Sequence, residues 1–148
     1  MANTIKGTGL RLWSMRHISM AFRGLTAFED NPSTHQLLDQ LTLRLSACAE
    51  RIDEQAVGNI LYGIQNLDDS EAVRKLFQAL LNALDYRHNG SSSASSSTPY
   101  VASLPTRLDL KAVEIANACY GFKSTNRVSK EANELMMVLA GLINASSF

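Results

Sequence analysis

The stretch Gln55-Ala-Val-Gly-Asn-Ile-Leu-Tyr-Gly-Ile-Gln-Asn-Leu67 decides the fold, because the chain contains it three times. A second copy is Val113-Glu-Ile-Ala-Asn-Ala-Cys-Tyr-Gly-Phe-Lys-Ser-Thr125, and a more diverged one is Arg16-His-Ile-Ser-Met-Ala-Phe-Arg-Gly-Leu-Thr-Ala-Phe28. With Gly24, Gly63 and Gly121 superposed, the apolar sites align without gaps. Each block is followed by a helical apolar pattern: Leu37, Leu41, Leu45, then Leu76, Leu80, Leu84, then Leu135, Leu139, Ile143. The glycine precedes the first of these by 13, 13 and 14 residues. A recurring two-helix unit cannot bury its apolar face alone and does so by stacking on its neighbours. The predicted fold is therefore all-α, an α-solenoid of about three helix-turn-helix repeats covering residues 10–48, 49–88 and 107–146.

Within the middle unit, Asp53 is placed to cap a helix whose stripe is Val57, Ile60, Leu61 and Ile64, at the 3.6-residue period. Asp68-Asp69-Ser70 interrupts the pattern and caps a second helix carrying Val73, Leu76, Phe77, Leu80, Leu81 and Leu84. In the third unit Asp109 is the expected cap, for a helix with Val113, Ile115, Ala118, Cys119 and Phe122 inward. Ser129 opens the next helix, with Leu135, Met136, Leu139, Leu142 and Ile143. The first unit has the stripe Ile18, Ala21, Phe22 and Leu25, and its second helix is expected to open on the capping-box pattern Ser33-Thr-His-Gln36 after an extended approach at Pro32. Sustained period-two alternation is absent, so no sheet is expected.

Gly63 lies 39 residues after Gly24, and Gly121 lies 58 after Gly63. The excess falls in 89–106, a serine-rich insertion with Pro99 and Pro105, expected to be a disordered loop on one edge of the stack. Residues 1–9 are read as a flexible N-terminal segment. The first 28 residues lack acids and carry Lys6, Arg11, Arg16 and Arg23, as an organelle presequence does. A mitochondrial or plastid location is expected from this, a cytoplasmic one being the alternative.

Of the 148 residues, 45% are apolar, which supports a folded domain, and 14 basic residues balance 14 acidic ones. Neutrality weakens any purely electrostatic case for nucleic acid. No apolar run reaches the roughly 20 residues that span a bilayer, so membrane insertion is not expected. Cys48 and Cys119 sit in apolar stretches and read as small core residues in a reducing compartment, with a disulfide as the alternative. His17, His35 and His88 lack metal-ligand spacing. No nucleophile, phosphate-loop or cofactor signature is present, so no catalytic residue, metal or cofactor is assigned.

Small residues recur at two registers of the first helix: Gly24, Gly63, Gly121, and Ser19, Gly58, Ala116. Glycine inside a helix costs about 1 kcal/mol relative to alanine. Its recurrence predicts a close backbone approach between neighbouring units. The opposite ridge holds Gln55, Asn59, Tyr62 and Asn66 in the middle unit. In the third unit it holds Val113, Asn117, Tyr120 and Ser124, and in the first Arg16, Met20, Arg23 and Ala27. Tyr62 and Tyr120 are suited to stacking on unpaired bases, Asn59 and Asn117 to pairing with base edges, and Arg16, Arg23 and Lys123 to phosphate contacts, with Gln55 and Asn66 on the same ridge as further candidate RNA contacts. The alternative is that the Asn and Tyr residues seal seams between units.

The segments Asn59-Ile-Leu-Tyr-Gly63 and Asn117-Ala-Cys-Tyr-Gly121 resemble the octotricopeptide repeats, and the related repeats that accompany RAP domains, of organelle RNA-processing factors. In the first copy Met20 and Arg23 replace the Asn and Tyr of the pattern. The resemblance implies a non-enzymatic module binding single-stranded RNA in organelle gene expression. The competing expectation is a protein-protein interaction scaffold, or a subunit of a larger assembly without RNA contact.

Overall fold

The computed structural model describes residues 13–84, 108–123 and 129–146. Among these residues the chain is all-α, with six α-helices and no strand. The first helices of the units are α1 (Met15–Gly24), α3 (Glu54–Gly63) and α5 (Ala112–Gly121). The second helices are α2 (Pro32–Ala47), α4 (Glu71–Leu84) and α6 (Lys130–Ala145). A 3-10 turn, Leu25–Ala27, follows α1. The expected N-terminal segment and serine-rich insertion lie outside the described residues.

Each first helix packs on the first helix of the next unit, α1 on α3 and α3 on α5. The second helices pair likewise, α2 with α4 and α4 with α6. This order of packing is compatible with stacked hairpins. The core runs between the two rows through Ile18, Phe22 and Leu25, then Val57, Ile60, Leu61 and Ile64, then Leu76, Phe77 and Leu80, to Leu135 and Leu139. Phe77 and Phe122 carry it across the second seam, with ring centroids 5.6 Å apart. The expected stripes of the middle unit are buried throughout, because that unit has a neighbour on both sides.

Helix starts follow side-chain capping. Oxygens of Ser14, Asn31, Asp53, Ser70 and Ser129 accept from the N–H of His17, Thr34, Ala56, Val73 and Ala132 at 2.7–3.2 Å. Two expected starts are corrected. The helix of the third unit is not capped by Asp109. It begins after Lys111, whose backbone N–H donates to Glu114 Oε2 at 3.1 Å. The physical reason is Leu110, which is buried and must enter the core before the chain turns into helix. Likewise α2 opens at Asn31 rather than at Ser33, with Pro32 in the first turn, where its missing N–H costs nothing.

The outer units correct other expectations. Leu37 is exposed and Leu38 takes its place in the core, while Val113, Met136 and Cys119 are exposed. Cys48 is half-buried, its Sγ 3.7 Å from the Trp13 carbonyl. Neither cysteine is the fully enclosed core residue expected: Cys48 only packs against the core's edge, and Cys119 is exposed.

The small-residue registers mark a close approach at Gly63, Gly121 and Gly58, whereas Gly24, expected to do the same, has no heavy atom within 4 Å of an added Cβ and Ala116 is exposed. A Cβ on Gly63 would lie 1.9 Å from the Phe22 carbonyl oxygen, and one on Gly121 would lie 2.4 Å from that of Leu61. Phe22 and Leu61 occupy the same register, two residues before Gly24 and Gly63. Among the described residues no glycine has a positive φ. These glycines are therefore required for space and not for backbone freedom, and each turns a Cα–H toward a carbonyl oxygen, a weak contact recurring where helices meet closely. Gly58 serves the next seam, where an added Cβ would stand 3.3 Å from Glu114 Cα.

Candidate binding surface on the first-helix ridge

The close approach enforced by Gly63 brings the polar ridges of α1 and α3 into contact. Arg23 Nη1 donates to Asn59 Oδ1 at 2.9 Å, and the same guanidinium lies 4.5 Å from the centroid of the Tyr62 ring. A cation over an aromatic face is held by the ring quadrupole. Across the next seam Tyr62 meets Tyr120 edge to face, centroids 5.9 Å apart and planes at 73°. The result is a ladder, Asn59–Arg23–Tyr62–Tyr120, that crosses all three units.

The ridge residues differ in what they leave open. Asn59 is buried and its carbonyl oxygen is already taken by Arg23, so its amide edge does not face solvent. Asn66 is exposed, with Nδ2 donating to the Thr26 carbonyl at 3.1 Å across the first seam. Asn117 is half-buried against the Gly58 backbone. Tyr62 and Arg23 are half-buried, and Tyr120 is half exposed at the outer edge of the ladder. Gln55, Arg16 and Lys123 are exposed. The structure thus joins Arg23, Asn59, Tyr62 and Tyr120 directly, leaves Arg16, Gln55 and Asn66 on the same ridge, and puts Lys123 in the turn just beyond the end of α5.

Several residues that fasten the helices between and within units were not singled out in the sequence. Glu50 Oε1 accepts from the Met15 N–H at 2.7 Å, placing a carboxylate at the N-terminus of α1, where the helix dipole favours it. Asp30 Oδ2 accepts from the Asp68 N–H at 3.0 Å, and its other oxygen contacts His35. Ser146 Oγ accepts from the Leu110 N–H at 3.0 Å and donates to the Leu142 carbonyl at 2.8 Å. The helix starts themselves carry a legible regularity: Trp13, Ile52 and Leu110 align in the repeat, each just before the cap, with Ile18, Val57 and Ile115 four residues after it, the spacing of a hydrophobic staple.

On α4, Arg74 makes two bonds to Asp69, at 3.1 and 2.6 Å. Hydrogen bonding to that carboxylate, and then its charge, hold Arg74 above the usual guanidinium range. A cleft of about 360 Å³ opens where α1, the α2–α3 link and α4 meet, bordered by Met15, Cys48, Glu50, Arg51 and Asn82. Its one carboxylate, Glu50, is engaged by the Met15 N–H. Among the described residues no three His, Cys, Asp or Glu side chains converge as metal ligands, and no helix is long and apolar enough to cross a membrane. No protein-family model, curated protein or solved structure matches the chain.

Proposed function

We propose that the chain is a non-enzymatic helical-repeat module that binds single-stranded RNA along the ridge of α1, α3 and α5, in organelle gene expression. The observation that carries this reading is the Arg23–Tyr62–Tyr120 ladder. It ends in an open aromatic ring and is flanked by the exposed cations Arg16 and Lys123. Aromatic faces accept any unpaired base, and basic side chains beside them hold the backbone. In this arrangement Tyr120 stacks a base, Lys123 and Arg16 meet phosphates, and Arg23 serves chiefly to set the angle of Tyr62. The likeness of Asn59–Gly63 and Asn117–Gly121 to organelle RNA-binding repeats supports both the ligand and the compartment.

Titration of the full chain with labelled single-stranded RNA pools at several salt concentrations tests the reading. Affinity should fall as salt rises. Tyr120→Ala should weaken binding by about 1–3 kcal/mol per stacked base, and Lys123→Ala should reduce the salt slope by about 0.7. Both positions are exposed, so circular dichroism should be unchanged. Absence of salt-dependent binding near physiological ionic strength would sink the proposal.

A second reading, an interaction scaffold without RNA contact, has its own observation. Asn59 and Asn66 spend hydrogen bonds on Arg23 and Thr26 inside the first seam. Under that reading Tyr120→Ala leaves RNA behaviour unchanged and instead weakens a protein contact.

A further inference from the structure

Burial along the chain depends on whether a unit has a neighbour on the side in question. Leu76 on α4 is fully buried against the preceding unit, whereas Leu37, at the same register of α2, is 43% exposed. Asn59 on α3 is 7% exposed and its counterpart Met20 on α1 is 53% exposed. On the opposite side, Ser19 and Gly58 are covered by the following helix, and Ala116 on α5 is open. On the same face of α5 as Ala116 lie Val113, 58% exposed, and Tyr120, 51% exposed, and on α6 Met136 is 37% exposed at the register of Phe77 on α4. Among the described residues, one apolar face of the first unit and one of the third are therefore unpartnered, and they are opposite halves of a single kind of interface.

The match is specific in register. Gly24 has no heavy atom within 4 Å of where a Cβ would stand, unlike Gly63 and Gly121, which sit over carbonyls of the preceding unit. The carbonyl that would take its place in the series is that of Cys119, two residues before Gly121. It accepts from the Phe122 N–H at 3.1 Å, just as the Leu61 carbonyl accepts from Ile64 at 3.2 Å. The ring ladder also continues. Tyr62 takes Arg23 on one side and Tyr120 on the other, while Tyr120 presents its open side to solvent.

We propose that the occupant of both faces is a second copy of this chain, stacked head to tail. The α1–α2 face of one copy lies on the α5–α6 face of the other. Gly24 of one protomer seats over the Cys119 carbonyl of its partner, Arg23 comes beside the open Tyr120 ring, and Met20 and Leu37 cover Val113 and Met136, so this contact and a base stacked on Tyr120 exclude one another. The interface repeats the α1–α3 and α3–α5 seams a third time. A contact of this kind is heterologous and does not close on itself in a pair, so assembly proceeds beyond the dimer as concentration rises.

Sedimentation velocity of the full chain across a concentration series, without RNA, tests this. The wild type should move from the 16.2 kDa monomer to a series of larger species. Gly24→Ala adds a methyl that meets nothing inside its own fold, so monomer stability should hold or rise while self-association falls at least tenfold. Ala116→Arg, on the opposite face, should also stay monomeric. Mixed, these two variants retain one free face each of opposite kind and should form a one-to-one pair that grows no further. A wild type that remains monomeric at every concentration overturns the proposal and leaves the faces to a different protein. Variants that associate as the wild type does overturn it as well, by placing the contact elsewhere.

Discussion

Gly63 and Gly121 are the positions at which a single methyl group matters most. At Gly63 the added carbon would stand 1.9 Å from a backbone carbonyl oxygen, which cannot move aside as a flexible side chain would. Gly63→Ala, and to a similar degree Gly121→Ala, should cost about 1–3 kcal/mol in urea denaturation, because overpacking outweighs the gain in helix propensity. Gly24→Ala should do the reverse and stabilise the monomer by up to ~1 kcal/mol. Asn59 is the second sensitive position. Replacing it by Ala leaves the half-buried Arg23 guanidinium without its acceptor, an expected loss of about 1.5–3 kcal/mol. A double-mutant cycle with Arg23→Ala should recover most of that as coupling energy, and additive losses would show that the pair acts through separate contacts.

At the scale of the element, identical residue types in one register have unequal worth. Leu76→Ala should cost about 2–5 kcal/mol as a buried truncation. Leu37→Ala, on an open face, should cost far less in a dilute thermal melt, and equal losses would contradict the neighbour-dependent burial described above. Asp53→Ala removes the cap of α3 and should lower stability by about 1 kcal/mol. The middle helices were legible in the sequence because both of their sides are covered, so the apolar period and the buried face coincide. The outer helices were less so. The period of α2 and α5 marks Leu37 and Val113 as inward, and they are exposed because no neighbouring row lies over them among the described residues. Capping at Lys111 was illegible for a similar reason: the better cap, Asp109, lost to the requirement that Leu110 be buried first.

At the scale of the whole molecule, adjacency governs stability. Among the described residues the main packing between units is between neighbours, so global stability approximates a sum of unit and seam contributions. Amide exchange should accordingly be slowest in α3 and α4, which are held from both sides, and faster in α6; uniform protection across all six helices would argue for a single cooperative block. The all-helical architecture and the ridge positions followed from periodicity. What the ridge side chains touch did not, since Arg23 reaches Asn59 and Tyr62 only because two backbones 36 to 39 residues apart are drawn together by a glycine. Formal neutrality gives no long-range attraction for a polyanion. Any RNA affinity therefore rests on the few cations beside the rings, and it should be lost steeply rather than gradually when Lys123 and Arg16 are removed together.

The notch at each glycine also acts as a detent. Slipping one helix by a single residue along its neighbour would bring Tyr62 or Ile64 against the Phe22 carbonyl, so the seams have one permitted stagger. Adjacent ridges are thereby held at a fixed pitch, and the chain behaves as a short ruler whose graduations are set by hydrogen atoms standing where methyl groups would otherwise be.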